Sequence, residues 1–160
     1  MDELDRLILE TLQEDGRTPF TEIARQAGVS ETTIRSRYRG LVEQGVIRTV
    51  GVVDPYAIGL NAPAIVAVSV EPGMADQVAQ AIVKLPEVSY LVMTLGSFDL
   101  IVETFCRDLP HLTDVITRQI QAIPGVRATE TLVIAKTFKL SYGWSFDLTI
   151  RPDLTVEEAL

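Results

Sequence analysis

The sequence is poor in residues that do chemistry on their own: one cysteine, one histidine and one tryptophan in 160 residues. Cys106 has no second thiol to pair with, which excludes an internal disulfide and suits a reducing compartment. His111 has neither a cysteine nor an acidic cluster beside it in sequence, so it makes a poor metal ligand. At the start of a helix it is expected to be exposed. No apolar run reaches the ~18 residues that a membrane-spanning helix needs. The N-terminal MDELDR is acidic and lacks the basic-then-apolar pattern of a secretion signal. Neither a phosphate-cradling glycine loop ending in Lys-Ser/Thr nor a G-x-S-x-G elbow occurs. These absences predict a cytoplasmic, non-membrane protein without metal or cofactor, and no enzyme built on a cysteine or histidine nucleophile.

What is present is enough apolar material for a real core, 47% of residues, with 22% charged. The formal net charge is −8, which argues against a polyanionic partner taken over the whole chain. The charge is unevenly placed, however. Thr21 to Arg48 carries five arginines against three glutamates, whereas Val52 to the end carries seven basic against thirteen acidic residues. An acidic second half would repel a nucleic acid and leave contact to the first half.

The first half reads as three helices. Leu4, Leu7, Ile8 and Leu12 make one apolar stripe behind an Asp2 N-cap, and Gly16 ends the helix. Thr18 and Pro19 are expected to open a second helix with Phe20, Ile23, Ala24 and Ala27 inward. Gly28 suits a left-handed stop, and Ser30 caps a third helix from Glu31 to about Gln44. On that helix Ile34, Tyr38 and Leu41 share the inner face, while Thr32, Arg35, Ser36 and Arg39 cluster opposite. Hydroxyls and guanidiniums on one outward face can contact phosphates, and arginine can bond a guanine edge with two donors. An ordinary solvated face could also carry arginines; the cap, the Gly turn and the four-residue patch together favour a helix-turn-helix for double-stranded DNA. Ser30, Thr32, Thr33, Arg35, Ser36, Arg37 and Arg39 are the candidate DNA contacts, with Arg37 near the buried edge as a flank or phosphate contact. Gly45-Val46-Ile47 leads into an expected β run through Val53, a wing-like addition.

The second half alternates. Ala64–Val70 is a buried strand; Ala75 to Val83 has a helical stripe; Val88–Leu95 and Leu100–Cys106 are strands about a tight Gly96–Asp99 connection. Asp108 caps another helix, and Val126–Leu140 closes as a long strand. Leu85-Pro86-Glu87-Val88 and Ile123-Pro124-Gly125-Val126 occupy matching corners, a weak internal repeat. The order β-α-β-β-α-β predicts a ferredoxin-like sandwich, so the fold class is α+β. Its sheet has one bare, largely apolar face for a partner subunit to cover. The expected domains are 1–51 for the helix-turn-helix, 52–62 for a linker, and 63–140 for the sheet domain. A tail, 141–160, alternates at period two and is expected to add a strand.

These segments in order are similar to the Lrp/AsnC (leucine-responsive/asparagine-responsive, feast/famine) transcription regulators. The resemblance rests on LDRLILETLQEDGR, on EIARQAGVSETTIRSRYRGLVEQGVI, on Asp54-Pro55 with Gly59-Leu60, and on Gly96-x-x-Asp99, and covers residues 2 to about 140. It implies sequence-specific DNA binding by dimers that assemble further, commonly to octamers, and sensing of small molecules, mostly amino acids, at subunit interfaces. It places Gly96, Ser97, Phe98 and Asp99 at that effector pocket. Glycine allows close backbone approach there, and Asp99 could pair with an α-ammonium. Hairpin turn chemistry alone would also explain both residues. The family commonly has Ser or Thr before the glycine, where this chain has Leu95, with Thr94 one step earlier. Thr129 and Thr131 are further pocket candidates, although β-propensity accounts for threonines there equally. Two rival readings share this architecture: a sirohaem-decarboxylase-like enzyme, whose chemistry leans on histidines, and an architectural DNA binder with little sequence preference.

Overall fold

A computed structural model describes residues 1–139, which form two compact units, one containing Met1–Val52 and the other spanning Val53–Phe138. The expected tail strand at 141–160 lies outside the described residues.

The first unit is three helices, α1 (Glu3–Glu14), α2 (Phe20–Ala27) and α3 (Glu31–Glu43). Asp2 caps α1 in a reciprocal box: its carboxylate accepts from Asp5 N–H and the Asp5 carboxylate accepts from Asp2 N–H, both at 3.0 Å. The expected Thr18 cap on α2 is not formed. Pro19 occupies the N-cap position, and the Thr18 hydroxyl turns back to donate to the Asp15 carbonyl instead. Gly28 ends α2 at φ 68°, a conformation that costs an L side chain energy, and Ser30 then caps α3 by accepting from Thr33 N–H. Ile8, Ile23 and Ile34, one from each helix, are fully buried, with Leu9, Leu12 and Leu41 packed around them. Each such side chain contributes about 1.5–3 kcal/mol.

The β run expected after α3 is absent. Residues 48–53 are irregular and exposed, Val50, Val52 and Val53 included. A strand is stable only when a neighbour takes its backbone donors and acceptors, and no described strand pairs with this segment. What holds its start is a side chain: the Tyr38 and Thr49 hydroxyls bond at 3.0 Å.

In the second unit a short 3-10 turn, Tyr56–Ile58, falls within the expected linker and is closed by Gly59 at φ 86°. Then come β1 (Ala62–Val70), α4 (Ala75–Ile82), β2 (Val88–Met93), β3 (Leu100–Cys106), α5 (Leu109–Asp114) and β4 (Val126–Val133). A π-helical segment, Val115–Ile120, continues α5 without a break. The sheet order is β2-β3-β1-β4, every pair antiparallel, which is the ferredoxin-like arrangement. The last strand is shorter than expected. Pairing with β1 stops at Val133, and Ile134 N–H donates to the Pro63 carbonyl where β1 itself begins.

Alternation along the strands assigns the two faces. Ala64, Val66, Val68, Leu100 and Val102 meet Val78, Ile82, Leu112, Val115 and Ile120 of the helices. The other face carries Ile65 beside Leu132, Ala67 beside Ile101, Tyr90 in register with Glu103, and Phe105 opposite Pro63. Gly125 makes the corner before β4 at φ 96°. A Cβ there would lie 2.9 Å from Met74, so only glycine lets helix and strand come this close.

Candidate functional site

On α3 the side chains divide as helical periodicity requires. Ile34 and Leu41 are buried, Tyr38 is half-buried, and Thr32, Arg35, Ser36 and Arg39 are exposed. Ser30 and Thr33 are engaged with each other: their hydroxyls bond at 2.8 Å, so both serve the cap. Arg35 donates to Glu31 Oε1 at 2.5 Å, and its guanidinium carbon lies 5.4 Å from the centre of the Phe20 ring. No side-chain partner is recorded for Arg39 among the described residues.

Arg37 has a role that spacing within α3 could not show. Its Nη1 donates to Asp2 at 2.6 Å and to Asp5 at 3.1 Å, bracing α3 against the start of α1. The Asp5 N–H bond, then the Arg37 guanidinium, holds the Asp2 carboxyl below the ordinary aspartate range; Asp2 in turn raises Arg37.

The β2–β3 hairpin gathers five of the other candidates. Thr94 N–H donates to the Asp99 carbonyl at 2.8 Å, and the Thr94 hydroxyl donates to the Phe98 carbonyl at 2.6 Å. The Asp99 carboxylate accepts from Val70 N–H at 2.8 Å, while Asp99 N–H donates to the Val68 carbonyl. Asp99 therefore continues the β1–β3 ladder with its side chain, its other oxygen making no hydrogen bond among the described residues. Ser97 and Leu95 are exposed at the tip. Gly96 has no positive φ, and a Cβ on it would meet nothing within 4 Å. The loop itself does not demand glycine there. Thr129 and Thr131 stand apart from the hairpin, on β4, with β1 between. Their partners in β1 are Val68 and Val66, so they face the helices, and Gln121 Nε2 donates to the Thr129 hydroxyl at 2.8 Å.

His111 is not exposed as expected; its side chain is 15% accessible. Nδ1 accepts from Arg107 N–H at 3.2 Å, which puts the ring proton on Nε2, 3.1 Å from Glu87 Oε1. Glu87 comes from the corner before β2, 24 residues away, and sequence spacing gave no sign of the pair. Burial foremost, with Glu87 nearby, pushes the Cys106 thiol up to about 11. No group of three or more metal-ligating side chains occurs among the described residues.

A capped helix-turn-helix joined in one chain to a βαββαβ unit defines a class, the two-unit DNA-binding regulator. Comparison with known proteins specifies it. Residues 1–42 match the AsnC-type helix-turn-helix domain and residues 63–144 the Lrp/AsnC ligand binding domain. The chain is 37% identical over 147 residues to an uncharacterized HTH-type transcriptional regulator of Pyrococcus abyssi, covering 91% of this chain and 93% of that protein. It is 36% identical over 140 residues to the HTH-type transcriptional regulator FL11 of Pyrococcus horikoshii, covering 87% and 92% respectively. Among solved structures, E. coli AsnC superposes with a TM-score of 0.82 at 28% identity, over 88% of this chain and 95% of that one. A Neisseria meningitidis transcriptional regulator in complex with L-Met shares the fold, with a TM-score of 0.83 at 23% identity over 91% and 96%. The chain belongs to the Lrp/AsnC family of DNA-binding transcriptional regulators. No helix among the described residues is long and apolar enough to cross a membrane.

Proposed function

We propose that α3 enters the major groove and reads an operator through Thr32, Arg35, Ser36 and Arg39, and that the protein acts as a regulator without enzymatic activity. The observation that carries this is the division of α3, apolar side chains locked inward and hydroxyls and guanidiniums outward. Ser30, Thr33 and Arg37 then position the helix, the first two through its cap and the third through Asp2 and Asp5. Two copies join through the apolar open face of the sheet, presenting two reading heads to a partly palindromic site, and such dimers assemble further. An amino acid binds at the β2–β3 hairpin against a neighbouring subunit, using the open backbone of Gly96 and the second carboxylate oxygen of Asp99. The L-Met complex of the Neisseria regulator supports that ligand class. Thr129 accepts from Gln121 Nε2 and keeps its own O–H donor for such a pocket.

The test is selection of bound sites from random DNA, followed by gel shifts with Arg35→Ala and Arg39→Ala. Both variants should weaken operator binding at least tenfold while sedimenting as the wild type does. Unchanged affinity in both removes α3 as the reader. Thermal-shift screening of the twenty amino acids identifies the effector, because stabilisation tracks occupancy.

A further inference from the structure

On the outward face of α3 two arginines stand in different circumstances. Arg39 is exposed with no recorded partner among the described residues, whereas Arg35 is fixed on two sides. Its Nη2 donates to Glu31 Oε1 at 2.5 Å one turn back on the same helix. Its guanidinium lies over the ring of Phe20, the first residue of α2, at 5.4 Å. Phe20 is itself held: it packs against the buried cluster, and its ring is 5.0 Å from that of Tyr38 at 51°. The chain of contact therefore runs from the helical core through Tyr38 and Phe20 to one charged group.

Resting on the α3 assignment above, we propose that Phe20 and Glu31 are positioning residues that fix Arg35 as the guanine-reading arginine, leaving Arg39 to contact phosphate. With the Phe20 ring against one side and one donor committed to Glu31, the guanidinium keeps its remaining N–H donors directed outward for a guanine O6/N7 pair. One donor goes to Glu31 and the others stay available. Holding a side chain that otherwise has many rotamers removes part of the ordering penalty from the binding step and favours one geometry over others. A free arginine such as Arg39 adapts to a phosphate, which any sequence supplies.

Two readouts test this, one needing no DNA. In the free protein, the Arg35 side-chain protons should be shifted upfield by the Phe20 ring current in NMR spectra. Phe20→Leu, which keeps an apolar group against Tyr38, should abolish the shift. Unshifted Arg35 protons in the wild type overturn the proposal whatever happens on DNA. The second readout uses the selected operator and versions with each G·C pair replaced. The wild type should lose about 5- to 150-fold at the guanine Arg35 reads. Phe20→Leu and Glu31→Gln should flatten that penalty to less than threefold at that position alone, with the salt dependence unchanged. Arg39→Ala should instead weaken binding to all sequences alike and lower the salt slope by about 1. Full discrimination in both Phe20→Leu and Glu31→Gln overturns the positioning role. Failure of the wild type to bind any selected site would instead remove the α3 reading itself, with the ring-current shift still deciding whether the Arg35–Phe20 contact exists.

Discussion

Asp99 sits where the β1–β3 ladder runs out, and its carboxylate takes the Val70 N–H that has no strand residue left to bond. Removing that acceptor strands a buried donor. Asp99→Ala should therefore lower stability by about 1–2 kcal/mol in urea titrations. Asp99→Asn, which keeps a carbonyl oxygen, should lose less. Equal midpoints for all three proteins would mean that the carboxylate serves only a ligand. The same scale decides the one thiol. With Cys106 fully buried and its ionisation raised to about 11, the reactive thiolate is scarce at pH 8. A thiol reagent should label the native protein only as fast as it unfolds, and labelling within seconds would contradict the buried placement.

Among the elements, α3 depends on two features that sequence presents ambiguously. Gly40 lowers helix propensity, and close packing could have explained it. Its Cβ position is in fact open, with Gln44 at an ordinary 3.8 Å, and the helix runs on to Glu43. Gly40→Ala should consequently stabilise the protein by roughly 0.5–1 kcal/mol, read as a raised urea midpoint. A lowered midpoint would show that the glycine is needed for packing.

The other feature is the brace from Arg37 to Asp2 and Asp5. Asp2 has a folded ionisation point below its unfolded one, so its contribution is complete above the ordinary aspartate value of about 3.9 and fades as pH falls through the lower folded value. Melting temperatures between pH 5 and pH 2.5 should fall less steeply for Arg37→Gln than for the wild type. Parallel curves would mean that the pair contributes nothing to the acid limb.

At the scale of the whole molecule, the proposed dimer rests on the open face of the sheet. Ile101 lies between Ala67 and Val92 in the middle of that face. Ile101→Glu places a carboxylate where a second copy would have to bury it. Sedimentation should then report monomer, with an unchanged circular dichroism spectrum and operator affinity at least tenfold weaker, because two linked heads bind better than one. A variant that still sediments with the wild type would move the subunit contact elsewhere.

Residue order alone determined much of this protein. Spacings of three and four fixed the buried faces of the helices, Asp2, Ser30 and Asp108 marked where helices begin, and the order of strands and helices implied the four-stranded sheet. These are local properties, set by side-chain periodicity and by backbone groups within one turn of each other. Tertiary structure alone decided which distant groups meet. It joined Arg37 to Asp2 and His111 to Glu87, gave the Asp99 carboxylate to Val70, and left residues 48–53 without a strand partner among the described residues. Such pairings depend on register and chain crossing, which a one-dimensional pattern does not encode; the same carboxylate can serve a helix cap, a ladder or a ligand until its neighbours are in place.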